Sequence, residues 1–215
     1  HNPTGKVFKK NELQKISDLC YKYNVFLISD DIHQDIVYSP NKYVPILSIR
    51  NSDVVLCSSG SKTFNTPGLI GSYILCPDKK NYDQFLIDLK QKNALSSVSI
   101  LGMYAQMAAY KADGYVDNMV KYLHNNMEEL RTFLIDNQKL GLKFVIPEGT
   151  YLAWIDCSNI SLSEDELQNR LINVGHVGIM KGSTYGDRNC LRMNVACPVK
   201  KLKEGMSRIK SALTR

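Results

Sequence analysis

Between residues 10 and 23 the apolar side chains Leu13, Ile16, Leu19 and Cys20 recur at intervals of three, three and one among Lys, Glu, Gln and Asp. That spacing predicts an amphipathic helix, because a period of 3.6 residues gathers such positions on one face. Asn24 marks its stop, and the unbroken run Val25-Phe26-Leu27-Ile28-Ser29-Asp30 reads as a strand. A second run, Val54-Val55-Leu56-Cys57-Ser58, opens into the small-residue loop Ser59-Gly60-Ser61-Lys62. Apolar runs without alternation suit a parallel sheet covered on both faces. A further strand is expected at residues 72–76.

Past Pro77 the period turns helical, with helices expected at about 79–92, 98–112 and 115–136. In the third, Val116, Met119, Val120, Leu123, Met127, Leu130 and Leu134 keep helical spacing over about six turns, long enough to join two lobes. Strands at 143–146 and 151–156 lead to an explicit helix start. There Ser163 and Glu166 form a capping box, with Leu162 and Leu167 at the positions of a hydrophobic staple. Strands at 177–180 and 191–196 precede a closing helix whose apolar face carries Val199, Leu202, Met206, Ile209 and Leu213. The order predicts an α/β protein with a mostly parallel sheet, followed by a small α+β domain. Residues 1–125 form the first part and residues 126–215 the second, the boundary falling inside the long helix.

Composition narrows the function classes. With 44% apolar and 22% charged residues in 215, the chain is neither a disordered mixture nor a disulfide-dense miniature. A net charge of +6 is modest beside the concentrated basic face of a nucleic-acid binder. Its densest basic stretch, Lys200, Lys201, Lys203, Arg208 and Lys210, falls on the polar side of the closing helix. No apolar run approaches the roughly 20 residues of a membrane helix. Six cysteines without a C-x-x-C pair, three of them (Cys57, Cys76, Cys157) inside apolar runs, suit reduced thiols and a cytoplasmic location. On that ground the sequon Asn159-Ile160-Ser161 is read as chance. The chain starts at His1 with no initiator Met and no leader, so it is expected to be part of a longer protein.

Two polar groups stand out by position. Asp30 ends one buried strand, and Lys62 lies four residues past the end of another. Ligands of open parallel sheets bind beyond the carboxyl ends of strands, so both would face one crevice. The plainer reading of Asp30 alone is a cap on the following turn. Competing motifs are weaker. Ser59-Gly60-Ser61-Lys62 fits S-x-x-K, but S-D-N and K-T-G partners are missing and a strand precedes the serine. Val7 spoils a phosphate loop at Thr4-Gly5-Lys6, no G-x-G-x-x-G occurs, and histidines at 1, 33, 124 and 176 lack ligand spacing for zinc.

Four blocks in order resemble fold-type I pyridoxal-phosphate enzymes: His1-Asn2-Pro3-Thr4-Gly5, Ser29-Asp30-Asp31-Ile32-His33, Ser59-Gly60-Ser61-Lys62-Thr63-Phe64-Asn65 and Arg192-Met193-Asn194. Within the class I/II aminotransferase superfamily, the chain is similar to the cystathionine β-lyase and cystalysin-like C–S lyases. The likeness covers the whole chain but only the C-terminal part of such an enzyme. It implies that the first 125 residues close a large pyridoxal-phosphate-binding domain and that the rest is the small domain.

The resemblance also assigns roles. Lys62 would bond the cofactor aldehyde and move the substrate Cα proton, tasks that suit a partly desolvated amine. Asp30 would pair with the pyridine nitrogen, Asn2 with the phenolic oxygen through an Asn2-Pro3 bond expected to be cis, and Ser59 and Ser61 with phosphate. Arg192 would clamp the substrate carboxylate in a bidentate pair. Two departures refine the subclass: His33 stands where many aminotransferases have tyrosine beside the cofactor, and Ile70 where they have a phosphate-binding arginine. Both favour elimination over amino transfer. The implied activity is β-elimination on a cystathionine- or cysteine-like amino acid by a homodimer, with an aminotransferase as the alternative. A non-catalytic regulatory or binding module of this family is the alternative of another class. Such a family member needs an N-terminal segment for cofactor and dimer contacts, so these 215 residues alone are expected to be a poor catalyst.

Overall fold

The computed structural model describes residues 1–95 and 98–214. The chain divides into two units, one of Val7–Val116 and one of His1–Lys6 with Asp117–Arg215. No helix among the described residues is long and apolar enough to cross a membrane.

In the first unit, α1 (Lys10–Lys22) leads into β1 (Leu27–Asp30), which pairs in parallel with β2 (Val54–Ser58). β3 (Tyr73–Leu75) adds antiparallel on the other side of β2. Parallel pairing aligns Leu27 with Val54 and Asp30 with Cys57, so β1 and β2 end on the same edge. The core beneath them is Ile46, Val54 and Leu56, with Leu13, Leu27, Leu47 and Tyr73 packed around it. Three further helical segments follow, α2 (Lys79–Ile87) extended by a π-turn over Asp88–Lys92, then α3 (Ile100–Ala109) and the start of α4 (Tyr115–Asp136). Gly102 lets α3 lie directly on the loop after β2, since a Cβ there would sit 2.4 Å from the Ile70 carbonyl.

Two expectations change here. The first strand is shorter than its apolar run because the Val25 N–H is taken by the Cys20 carbonyl at the helix end, and pairing starts at Leu27. In α1 the buried side chain is Ser17 and Leu19 is exposed, because the buried Arg50 guanidinium approaches close enough to donate to the Ser17 carbonyl.

The second unit is an antiparallel sheet of order β4 (Lys143–Phe144), β5 (Leu152–Asp156), β7 (Cys190–Asn194), β6 (Met180–Lys181). The remainder of α4, α5 (Glu164–Asn173) and α6 (Val199–Thr214) complete it. β6 begins three residues later than its apolar pattern suggests, because α5 claims that stretch: Val177 donates to the Leu171 carbonyl and Gln168 Nε2 to that of Ile179. α6 buries Leu202, Met206 and Ile209 and leaves its lysines in solvent. All six cysteines are free thiols. The opening segment belongs to this unit through Gly5, whose left-handed backbone accepts the Gly149 N–H and whose Cβ, if present, would lie 2.3 Å from Pro147.

The capping box forms as the sequence pattern requires. Ser163 Oγ accepts from the Glu166 N–H, and the Glu166 carboxylate accepts from the Ser163 N–H at 2.9 Å. Ser163→Ala is expected to cost about 1 kcal/mol by uncovering a helix-end donor. A urea midpoint unchanged from the parent would contradict that assignment.

Candidate active site

A parallel strand pair points both carbonyl ends the same way, and here that edge carries the two groups singled out above. Asp30 is the last residue of β1, and Lys62 lies in the turn that follows β2. Both side chains are exposed. Asp30 Oδ1 accepts the Ile32 N–H at 3.2 Å, which fixes the carboxylate at the turn while leaving acceptor capacity. Among the described residues the Lys62 ammonium has no hydrogen-bond or ion-pair partner.

The edge is held from behind by the neighbours of these two residues. Asp31 accepts hydroxyl protons from Ser29, at 2.6 Å, and from Tyr43, while its N–H reaches the Cys57 carbonyl and its carbonyl takes the Ser58 hydroxyl. Burial, followed by the Asp31 hydrogen bond and charge, raises the Tyr43 phenol far above its ordinary value, so it stays a donor. Burial and then the Asp30 and Asp31 charges push the Cys57 thiol up as well. On the other loop, Thr63 Oγ1 donates to Asp35 Oδ2 at 2.7 Å, and the Tyr110 hydroxyl reaches the same oxygen at 3.5 Å. Gln106 of α3 accepts the Gly60 N–H at 3.1 Å, and Phe64 packs edge-on against Tyr110 with ring centroids 5.0 Å apart.

The serines divide in their surroundings. Ser59 is buried and committed to building the turn, its hydroxyl donating to the Gly71 carbonyl at 2.6 Å and accepting the Ser61 N–H at 3.1 Å. The Ser61 hydroxyl, half-buried, has no such partner among the described residues. His33 is half-buried in the segment after β1, where its carbonyl accepts the Ile36 N–H at 3.0 Å. Ile70 is 74% exposed.

The C-terminal unit brings together the other two, Asn2 and Arg192. Arg192 Nη1 donates to Asn2 Oδ1 at 2.8 Å, and the Asn2-Pro3 bond is cis. Strand alternation explains the aim of Arg192: Leu191, Met193 and Val195 are buried on one face of β7, and Arg192 takes the other. Its guanidinium lies 4.1 Å from the centre of the Tyr185 ring, a cation–π stack, and Tyr185 meets Trp154 edge-on at 6.1 Å. Register places Trp154 directly opposite Arg192 on β5. Burial raises the nearby Tyr151 phenol, an effect the Arg192 charge opposes. The arrangement fixes a guanidinium fork with aromatic walls, suited to a carboxylate.

Pattern reading missed Asp35, Tyr43, Tyr110 and Tyr185, and quoted Thr63 only as part of the block around Lys62, without its partner. Their only trace in the sequence is an unusually polar stretch, Asp30-Asp31-Ile32-His33-Gln34-Asp35, after an apolar run and a threonine beside the lysine.

A family model described as aminotransferase class I and II matches residues 1–209. Protein MalY of Escherichia coli (strain K12) is 37% identical over 218 residues, covering 99% of this chain and 55% of MalY. Cystathionine beta-lyase PatB of Bacillus subtilis (strain 168) is 34% identical, with coverage of 100% and 56%. Among solved structures, cystalysin from Treponema denticola, which contains pyridoxal 5'-phosphate, superposes with a TM-score of 0.94 at 29% identity, covering 100% of this chain and 55% of that one. The chain therefore spans little more than half the length of these proteins.

Proposed function

The chain belongs to the aminotransferase class I and II family, and from that membership we propose that the intact protein is a pyridoxal-phosphate C–S lyase. Its reaction is a β-elimination: a cystathionine- or cysteine-like amino acid and water give a thiol, pyruvate and ammonia. The observation that carries the reading is the common edge of β1 and β2, which bears an exposed carboxylate, Asp30, and an exposed amine, Lys62, that has no partner among the described residues. That pair suits pyridoxal phosphate, which has an aldehyde for an amine and a ring nitrogen for a carboxylate. The similarity to a cystathionine beta-lyase and to cystalysin supports elimination as the reaction.

When bound, the cofactor supplies an electron sink for the charge left at a substrate Cα. The protein's own groups do the rest. Lys62 Nζ would be the attachment point and then the base that takes the Cα proton. Asp30 would hold the ring nitrogen and favour its protonated form, each unit of pKa shift being worth about 1.4 kcal/mol. Of the residues that the resemblance assigns to the cofactor, Asn2 would hold the phenolic oxygen, His33 would line the ring, and Ser61 would donate to phosphate from a turn that Ser59 shapes. Arg192 would bind the substrate carboxylate in a fork, its guanidinium oriented by Asn2 and Tyr185. Residues 1–125 act as the closing part of the cofactor domain and residues 126–215 as the small domain of a cytoplasmic homodimer, and the 215 residues alone are a poor catalyst.

The deciding experiment feeds cystathionine to the intact protein. Pyruvate, ammonia and homocysteine in equal amounts, with no added keto acid, are expected. Amino exchange that depends on a keto acid and yields no pyruvate would assign an aminotransferase. A protein that takes up no cofactor would be a binding module.

A further inference from the structure

Thr63 and Lys62 are neighbours with opposite fates: Thr63 is 1% exposed and Lys62 faces solvent. A buried hydroxyl must find an acceptor or cost stability. Thr63 finds Asp35, and the bond is charge-assisted, hence shorter and stronger than a neutral one. Asp35 lies five residues beyond Asp30, in the segment that leaves β1. The contact therefore ties the turn carrying Lys62 to the segment carrying Asp30, and does so from the buried side. Tyr110 closes on the same Asp35 oxygen from the end of α3. Neither Thr63 nor Asp35 is needed to satisfy the fold's apolar core, which lies at Ile46, Val54 and Leu56.

We propose that Asp35 and Thr63 are a positioning pair that holds the Lys62 backbone in place relative to Asp30, so that the amine meets the cofactor aldehyde in a reactive orientation. The inference rests on Lys62 being the attachment residue. It concerns how that residue is aimed, since neither partner touches the reacting atoms.

The test uses the intact apoprotein mixed with pyridoxal phosphate, following growth of the yellow band and the fraction fixed to Lys62 by borohydride. Thr63→Val keeps the shape and removes the hydroxyl, and attachment is expected to slow about tenfold. Thr63→Ser restores the hydroxyl and should recover the parent rate to within about twofold, a rescue that loss of packing would not show. Asp35→Ala should match Thr63→Val, and the double variant should be no slower than either, as a shared interaction demands. Folded Thr63→Val attaching at the parent rate overturns the inference, as does Thr63→Ser as slow as Thr63→Val. If Thr63→Val does not fold, Asp35→Ala decides by the same rate. A parent protein that takes up no cofactor at Lys62 overturns the functional reading, and this inference with it.

Discussion

Lys62→Ala is expected to lower pyruvate release from cystathionine by about 10⁴-fold in the intact protein, because one side chain supplies both the attachment point and the base for the Cα proton. The fold should tolerate it. Lys62 is exposed and makes no hydrogen bond or ion pair among the described residues, so its removal should stay within about 0.5 kcal/mol of parent stability. The combination is diagnostic: activity lost, urea midpoint kept. Pyruvate production retained by folded Lys62→Ala would refute the assignment of the lysine, whatever the cofactor content. The same substitution in a protein that only transfers amino groups would abolish keto-acid exchange instead, so the assay must follow both products.

The second large effect is on stability and lies far from this chemistry along the chain. Asn126 sits in α4 at 1% exposure, and its amide nitrogen donates to the carbonyls of Val195, at 2.8 Å, and Cys197, at 3.0 Å. Those carbonyls belong to the bend between β7 and α6, where the Val195 carbonyl also accepts the Cys197 N–H at 2.9 Å. Asn126→Ala should therefore cost about 2 kcal/mol, the sum of a small cavity, a weakened bond at Val195 and the Cys197 carbonyl left without its donor. Asn126→Leu keeps the size and removes the donor without adding a charge, so a loss of similar size there would locate the effect in the hydrogen bonds. The measurement is urea denaturation read at equilibrium, with an unchanged slope signalling that the native state itself was weakened. A loss below about 1 kcal/mol for Asn126→Ala would show that water replaces the amide and that the bend needs no such clamp.

The elements were legible wherever a single period ran unopposed. The α4 stripe of Leu123, Met127, Leu130 and Leu134 is buried as its spacing requires, and the Ser163 capping box closes as written. The pattern misled where long-range partners competed. Leu19 looks like a core residue of α1 and is exposed, while Ser17 is buried and its carbonyl accepts from the Arg50 guanidinium. Residues 177–179 look like a strand and are bonded to α5. In the site, Asp30 and Lys62 could be singled out because their positions at strand ends are local facts. Asp35 and Thr63 could not, since one more acid and one more threonine carry no periodic signal.

Local spacing was enough to set the order of helices and strands, the apolar faces of the long helices, and the two strand ends beyond which an acid and an amine emerge. Hydrogen-bond geometry repeats every few residues, so a short window contains that information. Which polar groups meet was set by folding alone: Thr63 finds Asp35 across 28 residues, Asn126 finds Val195 across 69, and Arg192 finds Asn2 across 190. Such pairs are chosen by burial, because a polar group shut away from water is stable only beside whichever partner the packed chain delivers.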